Sequence, residues 1–208
     1  MLYLLLCFSF SSTLKIKEQG GARWLLVFYH NSKSGHMFSG PTQALSVNDK
    51  YRYSILGSIG SDFKYDGKYE FLLEYPQLNG SNWWIQNKNP VLENEGTTAA
   101  NGYTPVSVSW ATHHFGGLVK SSQTTLTLLD GSAGNTEWFY SIGTREVTSW
   151  STQNCPSPVN CFPGPNGSVN EVYLWLRVNS SFLAPSQNNV PVRMQSKLPI
   201  LIHLFFIP

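Results

Sequence analysis

Charge is scarce in this sequence, and so are the groupings that carry most enzyme chemistry. Only 12% of its 208 residues are charged, whereas helical bundles need Glu, Lys and Arg across their outer surfaces, so a bundle is excluded as the expected class. No basic cluster is denser than Lys15-Ile16-Lys17 and the net charge is +2. The counterion release that drives nucleic-acid binding therefore has no footprint, and nucleic acid is not an expected partner. Apolar runs are short: the closing stretch Leu198–Pro208 has about half the length that spans a bilayer, which excludes a transmembrane span there. No His, Cys or acidic ladder has metal-ligand spacing, so neither a metal nor any other cofactor is expected. The Gly-x-Ser-x-Gly elbow is missing around Ser141, and Glu70 and Glu74 lie four residues apart on one strand face without a carboxylate opposite them. No residue is expected to be catalytic, and the chain does not read as an enzyme.

What the sequence does have is aromatic residues, 14% of the total, with 17 Gly and 12 Pro, the balance of turn-rich β structure. Its length suits one well-buried domain. Residues 1–11 read as a signal peptide, with Leu2 to Phe8 as the apolar region and Ser9 and Ser11 at the −3 and −1 positions. Removing it takes Cys7 away and leaves Cys155 and Cys161, six positions apart in a Pro- and Asn-rich loop, as an expected disulfide. Three glycosylation sequons begin at Asn79, Asn166 and Asn179. Together these place the protein outside the cell or on its surface, with a domain over 20–179 and a C-terminal tail over 180–208.

Alternation marks the strands. In Glu171–Val178 the residues Val172, Leu174, Leu176 and Val178 share one parity, and Glu171, Tyr173, Trp175 and Arg177 share the other. Tyr69, Phe71, Leu73 and Tyr75 likewise oppose Glu70 and Glu74, after an Asp66-Gly67 turn of hairpin type. Ala22–His30 is apolar on both parities and reads as a central strand covered on both sides. The aromatic run Glu137–Gly143 is expected to be a central strand with Trp138, Tyr140 and Ile142 facing the core, entered by a tight turn at Asp130-Gly131. Recurrence of Tyr51, Ile55 and Ile59 with Pro41 upstream predicts one short helix near 41–60. Gln77–Tyr103 reads as a long polar excursion. The economical architecture is a mainly β, two-layer antiparallel sandwich, jelly-roll-like.

The motifs Lys68–Pro76, Asn82–Pro90, Trp110 with Gly116-Gly117-Leu118, Leu129–Ser132, Trp138–Gly143 and Pro163-Gly164-Pro165 have, in this order, a resemblance. Over 20–179 the chain resembles a group of extracellular β-rich domains of protists and lower animals that are distantly fibrinogen-related or lectin-like. The resemblance implies an extracellular β fold and carries over no catalytic residue. The cysteine pattern and acidic calcium loop of fibrinogen-related domains are missing here.

Trp83 and Trp84 are the leading ligand-binding candidates. On a strand one indole faces solvent, and with Asn82 and Gln86 beside it a sugar ring can stack while the amides bind its hydroxyls. The competing reading is that both indoles cap the core beneath a long loop. His113 and His114, the only adjacent histidines, are further ligand-binding candidates, with a structural or surface role as the competing reading, because neighbours on a strand point to opposite faces and cannot easily share one ion. The expected function is an extracellular binding or adhesion module for a glycan or a cell-surface protein. A structural coat domain and an extracellular hydrolase are the alternatives.

Overall fold

The computed structural model describes residues 14–31, 36–94, 99–111, 114–122, 127–132, 140–145 and 171–179, with 160–161 and 168–169 described by backbone alone. The leader 1–11, His113, Trp138, Cys155, Asn166 and the tail 180–208 lie outside the described residues, as does the side chain of Cys161.

The described strands are β1 Ile16–Gln19, β2 Ala22–Asn31, β3 Val47–Asn48, β4 Arg52–Ser54, β5 Tyr69–Glu74, β6 Ser81–Gln86, β7 Thr104–Val108, β8 Phe115–Lys120, β9 Leu129–Ser132, β10 Asn160–Cys161, β11 Ser168–Val169 and β12 Glu171–Val178. Eight of them form one antiparallel sheet in the order β3-β4-β2-β12-β5-β6-β7, with β1 paired to β2. The antiparallel pair β8-β9 packs on this sheet in a mainly β sandwich, and β10 and β11 pair with each other. Among the described residues no helix is long and apolar enough to cross a membrane.

Alternation builds the core as expected. Val172, Leu174, Leu176 and Val178 of β12 are buried beside Phe71 and Leu73 of β5, facing the covering layer of Phe115, Leu118, Leu129, Tyr140 and Ile142. A bulge between Leu174 and Trp175 leaves Val27 as an extra residue in β2, and both Val27 and Phe28 join this core. Three buried amides tie the covering elements to the sheet. Gln86 Nε2 donates to Leu118 O at 3.0 Å and to Lys88 O at 2.7 Å, while its Oε1 accepts from Leu118 N and Trp84 Nε1. Asn82 exchanges two 3.0 Å bonds with the Trp110 backbone. Asn89 donates to Leu56 O at 2.6 Å and accepts from Val91 N. Each satisfies backbone groups that would otherwise be buried without partners.

Several local expectations change. The helix near 41–60 is replaced by two 3-10 turns, Pro41–Ala44 and Leu56–Ser58, which flank the β3-β4 hairpin. Pro41 opens the first turn as expected, but the spacing of Ile55 and Ile59 marks two ends of a turn that meet the core separately. Gly57 explains the compactness: its N–H donates to Leu45 O at 2.9 Å, and a Cβ there would lie 2.8 Å from Leu45 Cβ. The Gln77–Tyr103 excursion contains β6 and a 3-10 turn at Pro90–Leu92. Asp130-Gly131 is not a turn but part of β9, where a Cβ on Gly131 would come within 2.9 Å of Tyr140 Cβ. Glycine there serves close packing. Tyr140 and Ile142 are buried as predicted, yet Ile142 bridges Leu129 in the covering layer and is not part of a central strand. Asp66-Gly67 is the expected hairpin turn, with φ of 50° and 76° and reciprocal Tyr65–Lys68 backbone bonds.

Candidate functional site

The strand β6 places Asn82, Trp84 and Gln86 on the core side and Trp83 on the opposite face. One indole therefore points outward, as expected, but the two amides do not flank it. Period-2 geometry puts residues 82, 84 and 86 on one face, so both amides follow Trp84 inward and spend their hydrogen bonds on backbone. Asn82, Trp84 and Gln86 are fully buried and act as structural residues. Trp83 is half-buried, donates from Nε1 to Glu70 Oε1 at 2.7 Å and meets Trp24 edge-on at 5.4 Å. His114 is exposed with φ 59°, beyond the start of β8. Among the described residues no three of His, Cys, Asp and Glu converge as a metal site. Asn79 and Asn179 are exposed at opposite ends of the sheet, following β5 and β12.

The outer face of the sheet holds a continuous surface that the sequence reading did not assemble. Its residues come from the polar parities of β12 and β5, the outward positions of β2, β4 and β6, and the lysines of the β1 segment. Toward one end this surface is sealed. Ala22, Trp24 and Leu72 form a small second core covered by Trp83 and Trp175. Glu70, only 5% exposed, accepts Arg177 Nη1 at 2.9 and 3.0 Å as well as the Trp83 indole, and the Arg177 guanidinium lies 3.9 Å from the Tyr65 ring centre. A buried carboxylate with a paired cation and a second donor is well compensated.

Toward the other end the face is more open. Tyr29 and Tyr173 have ring centres 4.9 Å apart, and Tyr173 and Trp175 lie 5.9 Å apart with planes 13° from parallel. Tyr53 stands opposite Tyr29 on β4, and all four rings are half-buried. Glu171 accepts from the Tyr29 hydroxyl at 3.4 Å and from Asn31 Nδ2. Glu74 Oε2 accepts the Trp175 indole N–H at 2.8 Å and pairs with Lys17 Nζ at 2.5 Å. Lys17 Nζ lies 4.5 Å from the Trp175 ring centre, and Lys15 Nζ lies 5.8 Å from that of Tyr29.

Burial, then the negative charge of Glu171 and the neighbouring Tyr29, push the Tyr173 phenol up to about 12. Burial also raises Tyr29 and Tyr53. These phenols are therefore protonated hydrogen-bond donors at neutral pH. Burial lowers the Lys17 pKa although its bond to Glu74 and the Glu74 charge act the other way. Aromatic faces, two carboxylates, an amide and two ammonium groups thus share one accessible surface. That chemistry suits stacking combined with polar recognition.

The period-2 pattern of Glu171–Arg177 was the available signal for half of this surface. Periodicity marks it only as the polar side of a strand, because nothing in sequence order brings Tyr29, Lys17 and Glu74 to it. A comparison with known proteins finds no matching family model, no matching curated sequence and no matching solved structure.

Proposed function

We propose that the chain is a non-catalytic binding module of the cell exterior that holds carbohydrate on the outer face of its large sheet. The observation that carries this reading is the row Tyr29–Tyr173–Trp175, with ring centres 4.9 and 5.9 Å apart and Glu74, Glu171 and Asn31 at its border. Ring faces pack against the C–H faces of sugars, and carboxylates and amides bind their hydroxyls. The candidate surface therefore moves from the Asn82–Gln86 segment to β12, β2 and β5, while the expected ligand class stays the same. The exposed sequons at Asn79 and Asn179, at the sheet ends, support an extracellular setting. The lectin-like resemblance points the same way.

A glycan array probed with the full secreted chain tests the reading. Binding is expected, and Tyr173→Ala and Trp175→Ala should each weaken it about tenfold, the loss expected for one stacked ring. Glycan binding that survives both substitutions would overturn the placement. Binding to no glycan, with self-assembly of the chain instead, would favour a structural coat domain.

A further inference from the structure

The open half of the outer face already holds a cation, and where it sits says something about the ligand. Lys17 reaches across from β1, and its ammonium lies against the Trp175 ring at 4.5 Å and bonds Glu74 Oε2 at 2.5 Å. The same carboxylate oxygen accepts the Trp175 indole N–H at 2.8 Å. The ring face, the carboxylate and the ammonium form one unit. Any sugar that stacks on Trp175 from this side must first move Lys17 away. A neutral sugar would then leave Glu74, whose side chain is only 23% exposed, without its cation. A partly buried carboxylate stripped of its partner is costly, so neutral ligands are disfavoured on this ring. A ligand that brings its own ammonium replaces charge with charge.

We infer that the seat over Trp175 held by Lys17 recognises the protonated amine of an amino sugar, an inference that rests on the carbohydrate reading above. The pyranose covers the indole with a whole C–H face, where Lys17 offers only its methylene stem, and the amine takes the place of the Lys17 ammonium at Glu74. Lys17 swings into water from an edge strand that pairs with the sheet on one side only, and burial already disfavours its charged form in the seat. Among the described residues Glu171, Glu70, Lys15 and Arg177 are further charged groups on this face. Glu171 is held by Tyr29 and Asn31, Lys15 lies by Tyr29, and Arg177 is bound to Glu70.

The test is calorimetric titration of the full chain with equal-length oligomers of glucosamine, N-acetylglucosamine and glucose. The glucosamine oligomer should bind roughly five- to tenfold more tightly than either neutral one, the scale of one cation–aromatic contact with a carboxylate behind it. Glu74→Gln, which can still accept the Trp175 indole N–H, should remove that preference, and Lys17→Met should tighten glucosamine binding by emptying the seat. If the neutral oligomers bind as tightly as the charged one and Trp175→Ala still weakens them, the amine seat is wrong and the carbohydrate reading stands. If no oligomer binds and Trp175→Ala leaves glycan binding on the array unchanged, the placement on this face falls and takes this inference with it; if the array shows no glycan binding at all, the carbohydrate reading itself falls.

Discussion

Acid should destabilise this fold through one buried histidine. His30, on β2, is fully buried. Its Nε2 contacts His36 O at 2.8 Å, which makes Nε2 the protonated nitrogen, and Nδ1 is buried without a hydrogen-bond partner among the described residues. The ring meets Phe38 edge-on at 4.8 Å. Burial lowers its pKa to about 4, helped by the Arg52 guanidinium, while the His36 carbonyl and Asp49 act in the opposite direction. The folded value lies below the ordinary value of 6.5, so the unfolded chain takes up the proton first as pH falls. The contribution is intact above pH 6.5 and is lost progressively down to pH 4. A shift of this size amounts to about 3 kcal/mol in full and about 2 kcal/mol by pH 5. That is a large part of the 5–15 kcal/mol typical of a domain. Urea unfolding at pH 7, 6, 5.5 and 5 reads the slope directly. In His30→Gln the absolute stability will differ, and the slope between pH 6.5 and 5 should disappear. A slope that persists in the variant, or a flat profile in the unsubstituted protein, would refute the assignment.

Two further outcomes follow from the two faces of the sheet. Trp84 is fully buried between Phe71 and Phe115, at 5.6 and 5.1 Å, so Trp84→Ala should cost about 3–5 kcal/mol in denaturant unfolding. Trp175→Ala, on the half-buried outer face, should cost clearly less, and the reverse ranking in thermal melts would mean the outer face carries the core. Arg177→Ala leaves Glu70 buried without its cation and should cost about 3 kcal/mol, with Glu70→Gln recovering part of that loss in the double variant. A cost below 1 kcal/mol in chemical denaturation would show that the pair is not a structural fastener.

What the sequence made legible was periodicity. Val172 to Val178, Tyr69 to Tyr75 and the doubly apolar Ala22–His30 fold as strands with the faces their alternation assigns. Glycine was harder to read, because the same residue serves a turn at Asp66-Gly67, close packing at Gly131 and a touching pair of turns at Gly57. Only long-range neighbours distinguish these cases. The amides misled for the same reason. Asn82 and Gln86 beside an indole fit ligand recognition as well as they fit their actual use, and parity alone shows that they accompany Trp84 and not Trp83. The outer surface was least legible, since Lys17, Tyr29, Glu74 and Trp175 lie far apart in sequence and meet only through the β1-β2, β2-β12 and β12-β5 registers.

Those registers also explain why the two ends of one sheet face differ. β12 lies between β2 and β5, so each of its outward residues has a cross-strand neighbour on both sides where the pairing is complete. At Arg177 the neighbours are Trp24 and, through the guanidinium, Glu70, and the result is a sealed patch whose polar groups bond one another. Two residues earlier, at Trp175, the neighbours are Leu26 and Leu72, and the indole seals them while keeping one side toward Lys17. At Tyr173 the neighbours are Tyr29 and Glu74, both polar-tipped, and the surface is more open. At the sealed end Glu70 accepts from donors on two different strands, and at the open end Glu171 and Glu74 likewise bond groups on other strands. On the proposed carbohydrate reading, a ring row held by such bonds would lose little conformational entropy when a ligand lands, the condition under which a shallow surface can bind selectively.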